Sequence, residues 1–167
     1  SRYPFLLQST TRGSDLGRFD ILFAFPGESL HLDADGLLHG AHADSSNNFL
    51  SALDTWQASE QVPRIGEELP FLGGWFVYLG YELAAQIEPG LTLSRDSTLP
   101  TAFAVRCQSA LIFDHAHGQC SLVSENEACA DAEQLRKDIE SVRDAGSGAT
   151  VGLSGVTEEP PEIFLDA

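Results

Sequence analysis

Among the residues of this chain whose types could hold a metal or move a proton are His115 and His117, three cysteines, and the Asp33-Ala34-Asp35-Gly36 turn. Each set stops short of a site. His115 and His117 fall in a His-Ala-His-Gly turn, and no third ligand follows at a metal-binding spacing. Cys107, Cys120 and Cys129 are odd in number and contain no Cys-x-x-Cys pair, so neither a zinc site nor a disulfide framework is expected, and a reducing cytoplasm is the simpler setting. A calcium loop beginning at Asp33 would need glycine at its sixth position, which is Leu38. The stretch reads instead as a hairpin turn, with Gly36 supplying positive φ. No phosphate-cradling glycine loop, Ser-His-Asp order or paired-carboxylate pattern is present. The sequence therefore predicts no catalytic residue and no metal ligand within this chain.

The elements around these residues are readable from periodicity. Arg2 to Ser9 reads as a strand with Pro4 at its start, followed by a polar loop from Thr10 to Arg18 and a strong strand from Phe19 to Phe25. Pro26-Gly27-Glu28 reads as a turn into a short strand, Ser29 to Leu32. Ser45 to Asn48 offer N-cap candidates for a helix with Phe49, Leu50, Leu53 and Trp56 on one stripe, which makes Trp56 a core anchor. Phe103 to Cys107 and Ala110 to Asp114 read as strands, with the latter forming a hairpin with Cys120 to Val123. Ser124-Glu125-Asn126-Glu127 has the form of a capping box before a one-sided helix through Ala132, Leu135 and Ile139. Between these lies Leu69 to Tyr81, which carries no charge. It reads as a central strand, with Gly73, Gly74 and Gly80 as points of close backbone approach.

The 167 residues are 43% hydrophobic and 20% charged, the make-up of a globular chain able to bury one core. Nine basic residues against 25 acidic ones leave a net charge of -16, which opposes nucleic acid and anionic membrane as partners. No apolar run approaches the roughly 18 residues of a membrane helix. The chain has no methionine, which points to a piece of a longer protein.

Pro70-Phe71-Leu72-Gly73-Gly74, followed by Gly80-Tyr81-Glu82, resembles a signature of the N-terminal domain of the chorismate-aminating enzymes, anthranilate synthase component I and aminodeoxychorismate (para-aminobenzoate) synthase component I. Val77 stands where that family usually has a third glycine. Leu6-Leu7-Gln8-Ser9, the loop, and Phe19-Asp20-Ile21 resemble a second motif of the same family, and Leu111 to His115 resembles a third. The second motif lines a tryptophan pocket in the family, so the resemblance implies that Ser9, Leu16, Gly17, Arg18 and Phe19 form such a pocket here. The Ser9 hydroxyl and loop amides suit an amino-acid head group, and Leu16 and Phe19 suit an indole. On residue types alone, Ser9 would end a strand, Arg18 would face solvent and Phe19 would be core.

The resemblance implies an α+β fold in which antiparallel sheets carry helices outside, about half of a two-sheet sandwich. It also implies that residues 1–145 are the N-terminal domain and that 146–167 link to a C-terminal chorismate-binding domain. Gln8, where anthranilate enzymes commonly have glutamate, favours aminodeoxychorismate synthase component I, which aminates chorismate for para-aminobenzoate and folate synthesis. Anthranilate synthase component I and a free-standing tryptophan sensor are the alternatives. A glutaminase subunit is the implied partner. Magnesium is the implied cofactor, held by residues outside this chain, so the chain alone is expected to be inactive.

Overall fold

In the computed structural model, residues 1–8, 17–46, 48–60, 69–88, 90–91, 93, 99–125 and 130–144 are described. The chain divides into two compact units, Ser1–Arg136 and Lys137–Ala167. The expected linker over 146–167 lies outside the described residues, as do Cys129 and the Asn126-Glu127 part of the expected capping box.

The first unit is built on two long antiparallel strands, β2 (Phe19–Leu32) and β5 (Ala102–Asp114), paired from Phe19↔Asp114 to Leu32↔Ala102. Shorter strands lie end to end along the outer side of each. β1 (Phe5–Leu7) pairs with the start of β2, and β3 (Leu38–Gly40) pairs with its end. β4 (Gly74–Leu79) pairs with the first half of β5, and β6 (Gln119–Ser124) pairs with its second half. Among the described residues this gives one six-stranded antiparallel sheet, with helices α1 (Phe49–Ser59) and α2 (Ala84–Ile87); a third helix, α3 (Ala130–Asp144), begins in the first unit and ends in the second, and the fold class is α+β as expected.

Three expectations are corrected. β4 is not central: among the described residues it pairs only with β5, and Val77 and Leu79 are exposed. An uncharged run signals apolar surroundings, but it does not distinguish a strand with two neighbours from a strand with one. Pro26-Gly27-Glu28 is not a turn. β2 runs through it with a register shift between Pro26 and Ser29, a bulge that bends the strand without ending the pairing. Phe103 to Asp114 is one strand, because both sides of β5 are occupied along its length.

Consecutive residues in a strand point to opposite faces, and they divide the core accordingly. Trp75 and Ala104 join Leu30, Leu32 and Ala102 against Phe49, Ala52 and Trp56 of α1. Phe76 and Val105 join Phe23 and Cys107, with Phe5, Phe71 and Phe103 packed against them. On this second side Phe5 stacks on Phe76 with ring centroids 4.0 Å apart, and Phe23 meets Phe76 edge-on at 5.4 Å. The expected cap of α1 is present: the Asn48 side chain accepts hydrogen bonds from the N–H groups of Leu50 and Ser51. The Asp33 hairpin turn is present too, closed by the Asp33 N–H donating to Leu37 O at 3.0 Å. No helix among the described residues is long and apolar enough to cross a membrane.

Candidate functional site

Of the residues expected to form a pocket, Ser9 and Leu16 lie outside the described residues, and Gly17, Arg18 and Phe19 lead into β2. Gly17 is buried. Arg18 does not stand free in solvent. Its Nε donates to both oxygens of Asp114, at 3.1 and 3.2 Å, its Nη2 donates to Oδ2 at 2.8 Å, and its guanidinium lies 4.6 Å over the Phe19 ring. The strand pairing Phe19↔Asp114 sets this contact, since it places the end of β5 beside the start of β2. His117 Nδ1 joins Asp114 at 2.8 Å, and His115 Nε2 pairs with Asp20 at 2.9 Å. The two histidines of the turn thus each take a carboxylate on a neighbouring strand. The Arg18 guanidinium, against some opposing desolvation and with help from His117 and the Ala116 N–H, holds the Asp114 carboxyl far below the usual range. Among the described residues no three His, Cys, Asp or Glu side chains come together in a metal-binding group.

A second charged centre sits on the α1 side of the sheet. Arg106, in the middle of β5, is buried. Its Nη1 and Nη2 grip the two oxygens of Glu125 at 2.7 and 2.6 Å, its Nε donates to Glu60 at 2.9 Å, and Nη1 also donates to Gly74 O at 2.9 Å. The guanidinium lies 4.6 Å over Trp75, whose Nε1 is buried with no hydrogen-bond partner among the described residues. Trp75 meets Trp56 edge-on at 5.5 Å, and Trp56 Nε1 donates to the other Glu60 oxygen at 3.4 Å. Burial works against the charged form of Arg106, but Glu125 and then Glu60 outweigh it, and its pKa is raised. Next to it, burial pushes the Cys107 thiol up.

The glycines expected as close-contact points act here. Gly73 has φ +120, and a Cβ at that position would collide with the Glu125 carboxyl, so its bare backbone is what lets Glu125 reach Arg106. Gly80 donates its N–H to Thr101 O at 2.8 Å, and a Cβ there would press on the same oxygen. Ser124 ends β6 and its hydroxyl accepts from that of Ser109, while Glu125, expected in the capping box, grips the arginine; the rest of that box lies outside the described residues.

The sequence reading missed Arg106, Glu60 and Glu125 as a group. The available signal was a single charge inside the apolar run Phe103 to Cys107, because a buried arginine requires partners. Beside the centre, a recess of about 630 Å³ opens at the β2 bulge, lined among others by Arg2, Phe25, Glu28, Glu60, Arg106 and Asp131.

No family model and no curated protein matches the chain in sequence. Among solved structures it is similar to the crystal structure of anthranilate synthase component I from Streptococcus pneumoniae TIGR4. The TM-score is 0.58 and the identity 21%, and the match covers 81% of this chain and 32% of that chain. The two share a fold. The chain spans about a third of the length of the anthranilate synthase component I chain it matches. That likeness agrees with the α+β antiparallel architecture which the Gly73-Gly74 and Leu6-to-Ile21 motifs implied.

Proposed function

We propose that this chain is the N-terminal domain of an aminodeoxychorismate synthase component I, acting within a longer protein that adds ammonia to chorismate. The observation that carries the reading is that most of the chain takes the fold of about a third of anthranilate synthase component I, in company with the three ordered motifs. Gln8 favours the para-aminobenzoate branch. The name of the structural neighbour favours the second reading, an anthranilate synthase component I. In either case chorismate and magnesium belong to residues outside this chain, and a glutaminase subunit supplies the ammonia.

The test is the product. The full-length parent, given chorismate, ammonium and magnesium, should yield 4-amino-4-deoxychorismate. Anthranilate as the product would move the chain to the second reading, and neither product would overturn both. Residues 1–167 alone should convert no chorismate.

Within the parent, Ser9 and the Leu16-to-Phe19 run would hold tryptophan. Ser9→Ala should then weaken L-tryptophan binding by roughly 1 kcal/mol, one hydrogen bond to the head group. Calorimetry giving equal affinity for the two proteins would remove Ser9 from the pocket.

A further inference from the structure

We propose that Arg18 is a positioning residue with Asp114 as its anchor: the pair holds the Phe19 ring in place as an apolar wall, and the guanidinium does not take the carboxylate of the bound amino acid. The inference rests on the tryptophan reading above and assigns Arg18 a role that reading leaves open.

An arginine beside an amino-acid site has an obvious task, because a guanidinium matches a carboxylate through two parallel hydrogen bonds. Here Asp114 already fills it. Arg18 Nε donates to both Asp114 oxygens and Nη2 donates to Oδ2 at 2.8 Å. The carboxylate is fixed from its other side as well, since the Ala116 N–H donates to Oδ1 at 2.9 Å and His117 Nδ1 meets Oδ2 at 2.8 Å. With the guanidinium beside it the Asp114 carboxyl stays far below the usual range, so the negative charge opposite Arg18 persists throughout the neutral and mildly acid range. Asp114 belongs to the same chain and gives up little freedom by staying, whereas a ligand carboxylate arriving from water would have to displace it.

What the pair holds is Phe19. The Arg18 guanidinium lies 4.6 Å over the Phe19 ring, a cation against the negative face of the aromatic, and the ring is half-buried. The main chain is tied to the same place: Arg18 O accepts from the His115 N–H at 2.8 Å, and Phe19 pairs with Asp114 across the strands. Residues 18 and 19 are therefore set through backbone, side chain and ring by the end of β5 and the turn after it. The charges of Arg18 and Asp114 cancel as a pair, which suits this wall to the apolar body of a ligand and leaves the head group to hydroxyl and N–H donors.

The two roles for Arg18 predict opposite signs. L-Tryptophan binding to the full-length parent is measured by calorimetry for wild type, Asp114→Asn, Arg18→Met and the double variant. Each is first shown to be folded by circular dichroism at the titration temperature, where a loss of stability alone leaves the affinity unchanged. Asp114→Asn should bind about tenfold more weakly, because the guanidinium is no longer pinned over Phe19. Arg18→Met should lose a similar factor. In the Arg18→Met background Asp114→Asn should cost nothing further, since Asp114 acts through Arg18. If the guanidinium gripped the ligand's carboxylate, freeing it from Asp114 would tighten binding, so tighter or unchanged binding by Asp114→Asn overturns the inference. A further loss in the double variant also overturns it, by showing that Asp114 acts through Ala116 and His117 in the turn instead. Absence of binding by wild type removes the pocket and this inference together, whereas the other failures leave the pocket standing.

Discussion

Arg18 and Arg106 are assembled from the same parts: a guanidinium, a carboxylate gripped by two of its nitrogens, and an aromatic ring 4.6 Å beneath it. They differ in water. The Arg106 side chain is 6% exposed and that of Glu125 is 9%, against 38% for Arg18 and 13% for Asp114. At the rim, solvent screens the attraction and replaces a lost partner cheaply. In the interior, each charge has given up its hydration and depends on the other, so removing one partner leaves the second without compensation. Like geometry at two depths therefore means a clasp at the rim and a structural commitment inside.

The strongest challenge to that contrast is Arg106→Met, which leaves Glu125 buried without its cation. Urea denaturation should register a loss of about 3–5 kcal/mol. The double change Arg106→Met with Glu125→Leu should lose less than the single one, because the deeply buried carboxylate is gone and the one left without its cation, Glu60, is a third exposed to water. A double variant at least as unstable as the single would mean that burial of charge is not the source of the effect.

Gly73→Ala comes next. It forces a side chain into φ +120 and displaces the Glu125 carboxyl, for a cost of about 2 kcal/mol. Stability equal to wild type would show that Gly73 is not the gap through which Glu125 reaches Arg106.

The smallest effect should come from Asp114→Asn, and its signature is pH dependence. The folded-state pKa of Asp114 is depressed, so its contribution is fully present above the ordinary carboxylate range, about pH 4, and is lost as pH falls toward the folded value. The fall in urea midpoint between pH 6 and pH 2.5 should be shallower in Asp114→Asn than in wild type. Equal falls would mean that Arg18 does not stabilise the Asp114 carboxylate in the folded chain.

Local patterns were legible and pairings were not. The stripe of Phe49, Leu53 and Trp56 with Asn48 before it gave α1, since both cap and stripe are set within one stretch of chain. Gly36 gave the hairpin for the same reason. The rank of β4 in the sheet was misread because it depends on which strands β5 can reach, which no run of residues encodes. Pro26-Gly27-Glu28 has turn composition, yet the partner strand continues past it and holds β2 extended. The Arg106 centre draws on residues 60, 74, 106 and 125, which lie on four separate elements or their ends, so only the isolated charge in β5 hinted at it. Gly17 to Phe19 came to notice through family resemblance, and their link to Asp114 through the β2–β5 register.

That register also governs how the chain folds. Phe19 must find Asp114, and Leu32 must find Ala102, across the segments that form α1 and β4. Helix α1 and the β5–β6 hairpin need only near neighbours and can form within microseconds. The two-stranded spine must close a long loop before any of its contacts repays the lost freedom, and contacts of that kind set folding times in milliseconds to seconds. The β5–β6 hairpin brings Arg106 and Glu125 near each other early, but both stay hydrated until the spine closes and buries them, so the loss of their water is a late event, and Arg106→Met should speed unfolding far more than it slows refolding.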